Sequence, residues 1–273
     1  MTDRSGRTTG IYAKIERAKK HVGDLEASVQ GFIQSNPYEV IRHDEPDTGD
    51  WVFKVRVLRQ PPLELSAIAG DAIHNLRASL DLLVCELVRG ERNIVTDKTS
   101  FPIARNAKVF KSGHMRMVEG APHEAIRLIK RLKPYKGGNE ALWRLHKLDI
   151  ADKHRLLITV GGAHQSVVLD FARYFDNLPG MNPELIPPQD LSMPIGLNAA
   201  DQQWPLKDGT EVFRVGHGGQ NLKMHENPQF TFHVAFGEGE IVQGEPLIPT
   251  LHQLVNFVEG VIEPFLPLLH SND

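Results

Sequence analysis

The chain is almost without cysteine: Cys85 is the single one in 273 residues. This excludes an internal disulfide and a cysteine-rich zinc site, and it fits a reducing compartment, so a cytoplasmic location is expected. Long apolar runs are lacking as well. Nothing approaches the roughly 20 residues that a membrane-spanning helix needs. No apolar stretch follows the polar start Met1-Thr2-Asp3-Arg4-Ser5-Gly6-Arg7, so no secretory signal and no membrane partner are expected. An excess of charge is absent too, since 31 Lys and Arg against 34 Asp and Glu leave a net charge of -3. Whole-chain electrostatics therefore gives no reason to expect nucleic acid, and only a local basic patch would. Familiar site signatures are missing: no Gly-x-Ser-x-Gly elbow, no His-Glu-x-x-His, and no Gly-x-Gly-x-x-Gly opening a helix. Val215-Gly216-His217-Gly218-Gly219 lacks the Lys-Ser/Thr of a phosphate-binding loop and reads as a tight turn.

What is present is strongly periodic. Residues 1–10 form a polar tail expected to be disordered. Residues 11–34 read as a helix, with Ile11, Ile15, Val22, Leu25, Val29 and Ile33 on one stripe. Residues 38–42 and 51–57 read as strands joined by the turn Asp47-Thr48-Gly49-Asp50, a hairpin. Pro61-Pro62 opens a helix over 63–89, which Gly90 ends. A loop with Phe101-Pro102-Ile103 follows, then helices over 122–132 and 140–155, the latter capped by Asn139. Strands are expected at 156–160 and 166–171, turning at Gly161-Gly162, and again at 211–215 and 229–236. The loop 177–203 is rich in Pro, Asn and Gly. A last helix covers 250–261, broken by Pro264 and Pro267. Helices first and last, with antiparallel strands between, predict an α+β fold: a helical bundle packed against an antiparallel sheet. One domain over 11–273 is expected, with a sub-boundary in 177–203. The apolar end Phe265-Leu266-Pro267-Leu268-Leu269 must dock on its own domain or on a second copy in a homo-oligomer.

Two of these helices carry ionisable residues among leucines. On the 63–89 helix, Ile73, Leu76, Leu80, Leu83, Val84 and Leu87 form the apolar face. Asn75, Ser79 and Glu86 lie opposite and are expected to meet water. His74, Arg77 and Asp81 share a third side, at spacings that let them touch. On the 140–155 helix, His146, Asp149, Asp152 and Lys153 fall on the arc of Leu142, Leu145 and Leu148, while Arg144, Ala151 and Arg155 point outward and His154 lies further round. Carboxylates on an apolar arc are costly unless cations or a metal meet them. The simplest partners are His74 and Arg77, so the two stripes are expected to face each other.

Two chemistries suit that locus. In one, Asp149 and Asp152 with His146 hold a divalent metal ion that activates water. In the other no metal is needed: His74 moves the proton, while Arg77 or Lys153 steadies an oxyanion or phosphate. Either makes a hydrolase of a small-molecule or anionic substrate, with His74, Arg77, Asp149 and Lys153 catalytic. The alternative is a binding or assembly module in which the same residues form a buried ion-pair lattice. A three-histidine metal site from His217, His225 and His233 is a further candidate.

The string His74-Asn75-Leu76-Arg77, Leu80-Asp81, Phe101-Pro102-Ile103, Leu148-Asp149 and Asp152-Lys153-His154-Arg155 resembles a group of uncharacterised bacterial proteins over about residues 69–157. The resemblance implies a recurring order of elements and brings no activity with it. The spacing of Arg116 and His123 resembles the Arg…His motif of the helical HEPN ribonucleases, although Gly120 and Pro122 interrupt the helix which that motif needs.

Overall fold

A computed structural model describes residues 6–157, 159–164, 166–170, 192–196, 206–215, 231–239, 241–242 and 244–270. Its elements are α1 (Gly6–Gln34), β1 (Tyr38–Asp44), β2 (Trp51–Val57), α2 (Leu63–Gly90), α3 (Ala107–Ser112), a 3-10 turn (His114–Val118), α4 (His123–Leu132) and α5 (Glu140–His154). There follow β3 (Thr159–His164), β4 (Ser166–Asp170), β5 (Ser192–Gly196), β6 (Glu211–Val215), β7 (Thr231–Phe236), α6 (Leu247–Ile262), a 3-10 turn (Glu263–Phe265) and α7 (Leu266–His270). The expected α+β class holds.

The chain divides into two compact units that interleave in sequence. The first is Met1–Ser28, Pro62–Thr159 and Glu238–Asp273; the second is Val29–Pro61 and Val160–Gly237. The expected sub-boundary at 177–203 falls mostly outside the described residues. The interleaving follows strand pairing: β2 takes β6, from far along the chain, on its second edge.

The first unit is helical. α2 packs on α5, α6 and α7, and its expected apolar face is fully buried. α1 buries Ile11, Ile15, Ala18, Val22 and Leu25, whereas Val29 and Ile33, past the unit boundary, are only half-buried. The helix begins within the stretch expected to be disordered, at Gly6, because that end has a partner: the Arg7 guanidinium reaches the carbonyl of Leu269. Asn75 and Ser79, expected in water, are buried. Lys14 of α1 donates to Asn75 Oδ1 at 3.3 Å, so a second helix covers the face opposite the leucines. A periodicity of side chains does not reveal a covering helix. Short α3 was not anticipated, although its signal is present: Asn106 caps it by accepting from the Val109 amide at 2.9 Å. Pro264 and Pro267 do not end the helical path but convert it to a 3-10 turn and α7, which bury Phe265 and Leu269 against the first unit's own helices.

The second unit holds the antiparallel sheet β1-β2-β6, with Tyr38 opposite Val57 and Asp44 opposite Trp51. β2 is central and alternates buried Phe53 and Val55 with Lys54 and Arg56, while Val52 is buried too, and its register with β6 shifts between Phe53 and Lys54. The turn closes with Gly49 in the left-handed region (φ 72°), a conformation that costs glycine little. β3 pairs with β7 and β4 with β5, the latter lying inside the expected loop. Gly161-Gly162 is not a turn but the middle of β3. The Tyr38 phenol lies so close to the Gly161 Cα that a Cβ there would overlap its oxygen, which is what demands glycine in this strand. That phenol stacks on Phe232 at 4.9 Å, its oxygen is buried without a hydrogen-bond partner among the described residues, and burial pushes its pKa up to about 12. Tyr38→Phe is expected to stabilise the protein by about 1 kcal/mol, because an unpaired buried hydroxyl is removed. A lower urea midpoint for the variant would refute this.

Candidate functional site

α2 and α5 of the first unit cross where both are at their closest. α5 is set by its Asn139 cap, which accepts from the Leu142 amide at 3.1 Å, and by Leu142, Leu145 and Leu148, all buried. Opposite its last turn lies Gly70 of α2. A Cβ at Gly70 would overlap the Asp152 carboxylate, so the missing side chain is what admits Asp152.

The crossing assembles a buried carboxylate with two cation-capable partners. Asp149 is 3% exposed; its Oδ1 lies 2.9 Å from His74 Nδ1, and its Oδ2 accepts from Lys153 Nζ at 2.6 Å. The side chains of His74 and Lys153 are 48% and 52% exposed, so each reaches from the buried acid to water. Asp149 is the sole hydrogen-bond partner of the His74 ring among the described residues. Asp152 stands beside this group, its pKa raised by burial and then by the Asp71 and Asp149 charges.

Arg77 and Asp81 form the expected ion pair and close a ring that was not expected. Arg77, 6% exposed, donates also to the Phe101 carbonyl at 2.9 Å, while Asp81 accepts from the Phe101 amide at 2.8 Å. The Phe101-Pro102-Ile103 loop is thereby clamped to α2. Arg77 gives one N–H from each terminal nitrogen to this clamp and is almost wholly buried. His146 sits beside the clamp. Burial, and next the Arg77 charge, hold its pKa down to about 4, and its Nδ1 is buried without a hydrogen-bond partner among the described residues.

The expected metal set is not brought together. Among the described residues no three His, Cys, Asp or Glu side chains converge to hold an ion, so His146, Asp149 and Asp152 do not form such a group. Both oxygens of Asp149 already have partners, His74 on one and the Lys153 ammonium on the other, and a metal ion beside that ammonium would be repelled. His217 and His225 lie outside the described residues, and His233 is on β7. Arg116 belongs to the 3-10 turn and His123 opens α4, with Gly120 at φ 86° between them, so the two do not share a helix.

Two features escaped sequence reasoning. Arg155, expected to point outward, makes a bidentate pair at 2.8 and 2.6 Å with Glu238, which is buried. Nothing in the local pattern links residues so far apart. The second is a cavity of about 420 Å³ between the first half of α5 and α6, with Val242, Leu254 and Phe257 in its wall and the Arg144–Glu245 pair (2.8 Å) at its side. It lies at the opposite end of α5 from Asp149.

Comparison with family models, with curated proteins and with solved structures finds no match to this chain. No helix among the described residues is long and apolar enough to cross a membrane.

Proposed function

We propose that the chain is a cytoplasmic hydrolase of a small-molecule or anionic substrate, working without a metal, in which His74 is the general base. One observation carries this: a half-exposed histidine whose Nδ1 rests on a buried carboxylate, 2.9 Å away. A carboxylate at Nδ1 keeps the proton on that nitrogen and stabilises the imidazolium that forms when Nε2 takes a proton from water. The two ring nitrogens lie on opposite sides, so Nε2 points away from Asp149. Lys153 has three donors and gives one to Asp149, leaving two for an oxygen that gains negative charge. Asp149 is thus a positioning residue, while His74 and Lys153 are the groups that would touch substrate.

A second reading, a non-catalytic assembly module, is favoured by one feature: both oxygens of Asp149 are already paired, as in a structural lattice. The experiment that separates them is hydrolysis of p-nitrophenyl acetate, p-nitrophenyl phosphate and bis-p-nitrophenyl phosphate by the full chain and by His74→Gln. His74→Gln is expected to lower the rate by about a hundredfold or more. A folded His74→Gln protein with the parent's rate, or a parent inert on all three esters, would count for the lattice.

A further inference from the structure

Charge in this chain is unevenly placed. Between residues 105 and 136 there are nine Lys and Arg against two Glu, a net +7 within a chain whose total is -3. All nine are exposed. Among the described residues Arg127, beside Glu124, is the one of them with an ion-pair partner. Elsewhere in the first unit, exposed or half-exposed cations commonly meet acids, as Lys19 meets Glu259 and Arg155 meets Glu238.

The structure gathers these charges on one substructure. Arg127, Lys130 and Arg131 form the outward stripe of α4, opposite buried Ala125 and Ile129. Lys108 and Lys111 lie on α3 with Phe110 turned into the core. The turn after α4 is stitched to the strand-like segment before α3: the Ala104 amide donates to the Pro134 carbonyl at 2.9 Å, and Tyr135 packs on Phe110 with ring centres 5.5 Å apart. Lys133 and Lys136 therefore join Arg105 and α3 on the surface. Helix-end electrostatics accounts for Lys130 and Arg131 in the last turn of α4, for Lys111 in that of α3 and for Arg116 in that of the 3-10 turn, but not for Arg105, Lys108 or Arg127, which precede the last turns.

We infer that the surface of α3, α4 and the turn following α4 binds the phosphodiester backbone of nucleic acid, without base specificity. A polyphosphate matches a broad array of unpaired cations because each contact releases condensed counterions. A lipid surface fits less well: the outward stripe of α4 carries no large apolar side chain to enter a bilayer, and Leu128 and Leu132 at its flanks are half-buried. This inference departs from the expectation drawn from total charge, since the charge is local. The inference is independent of the His74 site.

The test is fluorescence anisotropy of labelled RNA, DNA and duplex of about 20 nucleotides, across about 50 to 200 mM salt. The chain should bind, and the triple variant Arg127→Gln, Lys130→Gln, Arg131→Gln should weaken binding tenfold or more and lower the slope of log K against log salt by about two to three. The control Arg17→Gln, Lys20→Gln, on the exposed side of α1, should change affinity less than about twofold. Preference for single strands or for duplex identifies the form bound. No binding at low salt, equal losses in the triple variant and the control, or equal triple-sensitive binding to phosphatidylserine vesicles would each overturn the inference.

Discussion

Replacing both partners of Asp149, His74 by Phe and Lys153 by Met, is expected to destabilise the protein by about 3 kcal/mol, and adding Asp149→Asn is expected to restore most of that loss. The asymmetry follows from burial. Asp149 is 3% exposed, while His74 and Lys153 are about half exposed. Removing the cations strands an ionised carboxylate in a poorly solvated place, the costly way to break a buried pair. Removing the carboxylate instead releases two cations that water already reaches, so Asp149→Asn alone should cost less than the double replacement. Urea denaturation with an unchanged m-value checks both statements. A double variant within about 1 kcal/mol of the parent would mean that water reaches Asp149 after all, and the restoring effect of Asp149→Asn would vanish with it.

The second large effect concerns acid. The His146 pKa is held down from its ordinary 6.5 to about 4, first by burial and then by the neighbouring Arg77 guanidinium. Between those two values the unfolded chain binds a proton that the folded one refuses. Stability from this group is therefore complete above pH 6.5 and is lost as pH falls toward 4, a change of about 3 kcal/mol. His146→Leu abolishes the titration and should remove most of that acid-side slope. At neutral pH the change should be small, because the imidazole is neutral there and its Nδ1 has no hydrogen-bond partner among the described residues. Free energies of unfolding measured from pH 7 to 4 for both proteins decide the matter, and equal slopes would mean that His146 is not shielded in the folded state.

Both effects belong to residues that periodicity singled out, yet they act in ways periodicity could not show. A helical projection is enough to put His74, Arg77 and Asp81 on one side of α2, and Asp149 and Lys153 a turn apart on α5, since those relations depend only on 3.6 residues per turn. It does not tell which partner each side chain takes. Arg77 turned toward the Phe101 carbonyl and away from Asp149, because a loop twenty-four residues later returns to α2 there. What looked like one locus is a clamp, Arg77–Asp81–Phe101, beside a separate group, His74–Asp149–Lys153.

Local spacing, capping and turn residues suffice for the longer helices α1, α2, α4, α5 and α6, for the hairpin, for the α+β class and for the polar stripes on α2 and α5. What spacing does not reveal is that Asn75 meets Lys14 of α1 and Ser79 is buried, that Gly161 lies within a strand under Tyr38, that Arg155 meets Glu238, and that basic side chains spread over 105–136 share one surface. Each of these depends on chain segments brought together by burial of apolar area, a force proportional to area and without direction, which leaves no mark in the spacing of neighbouring residues.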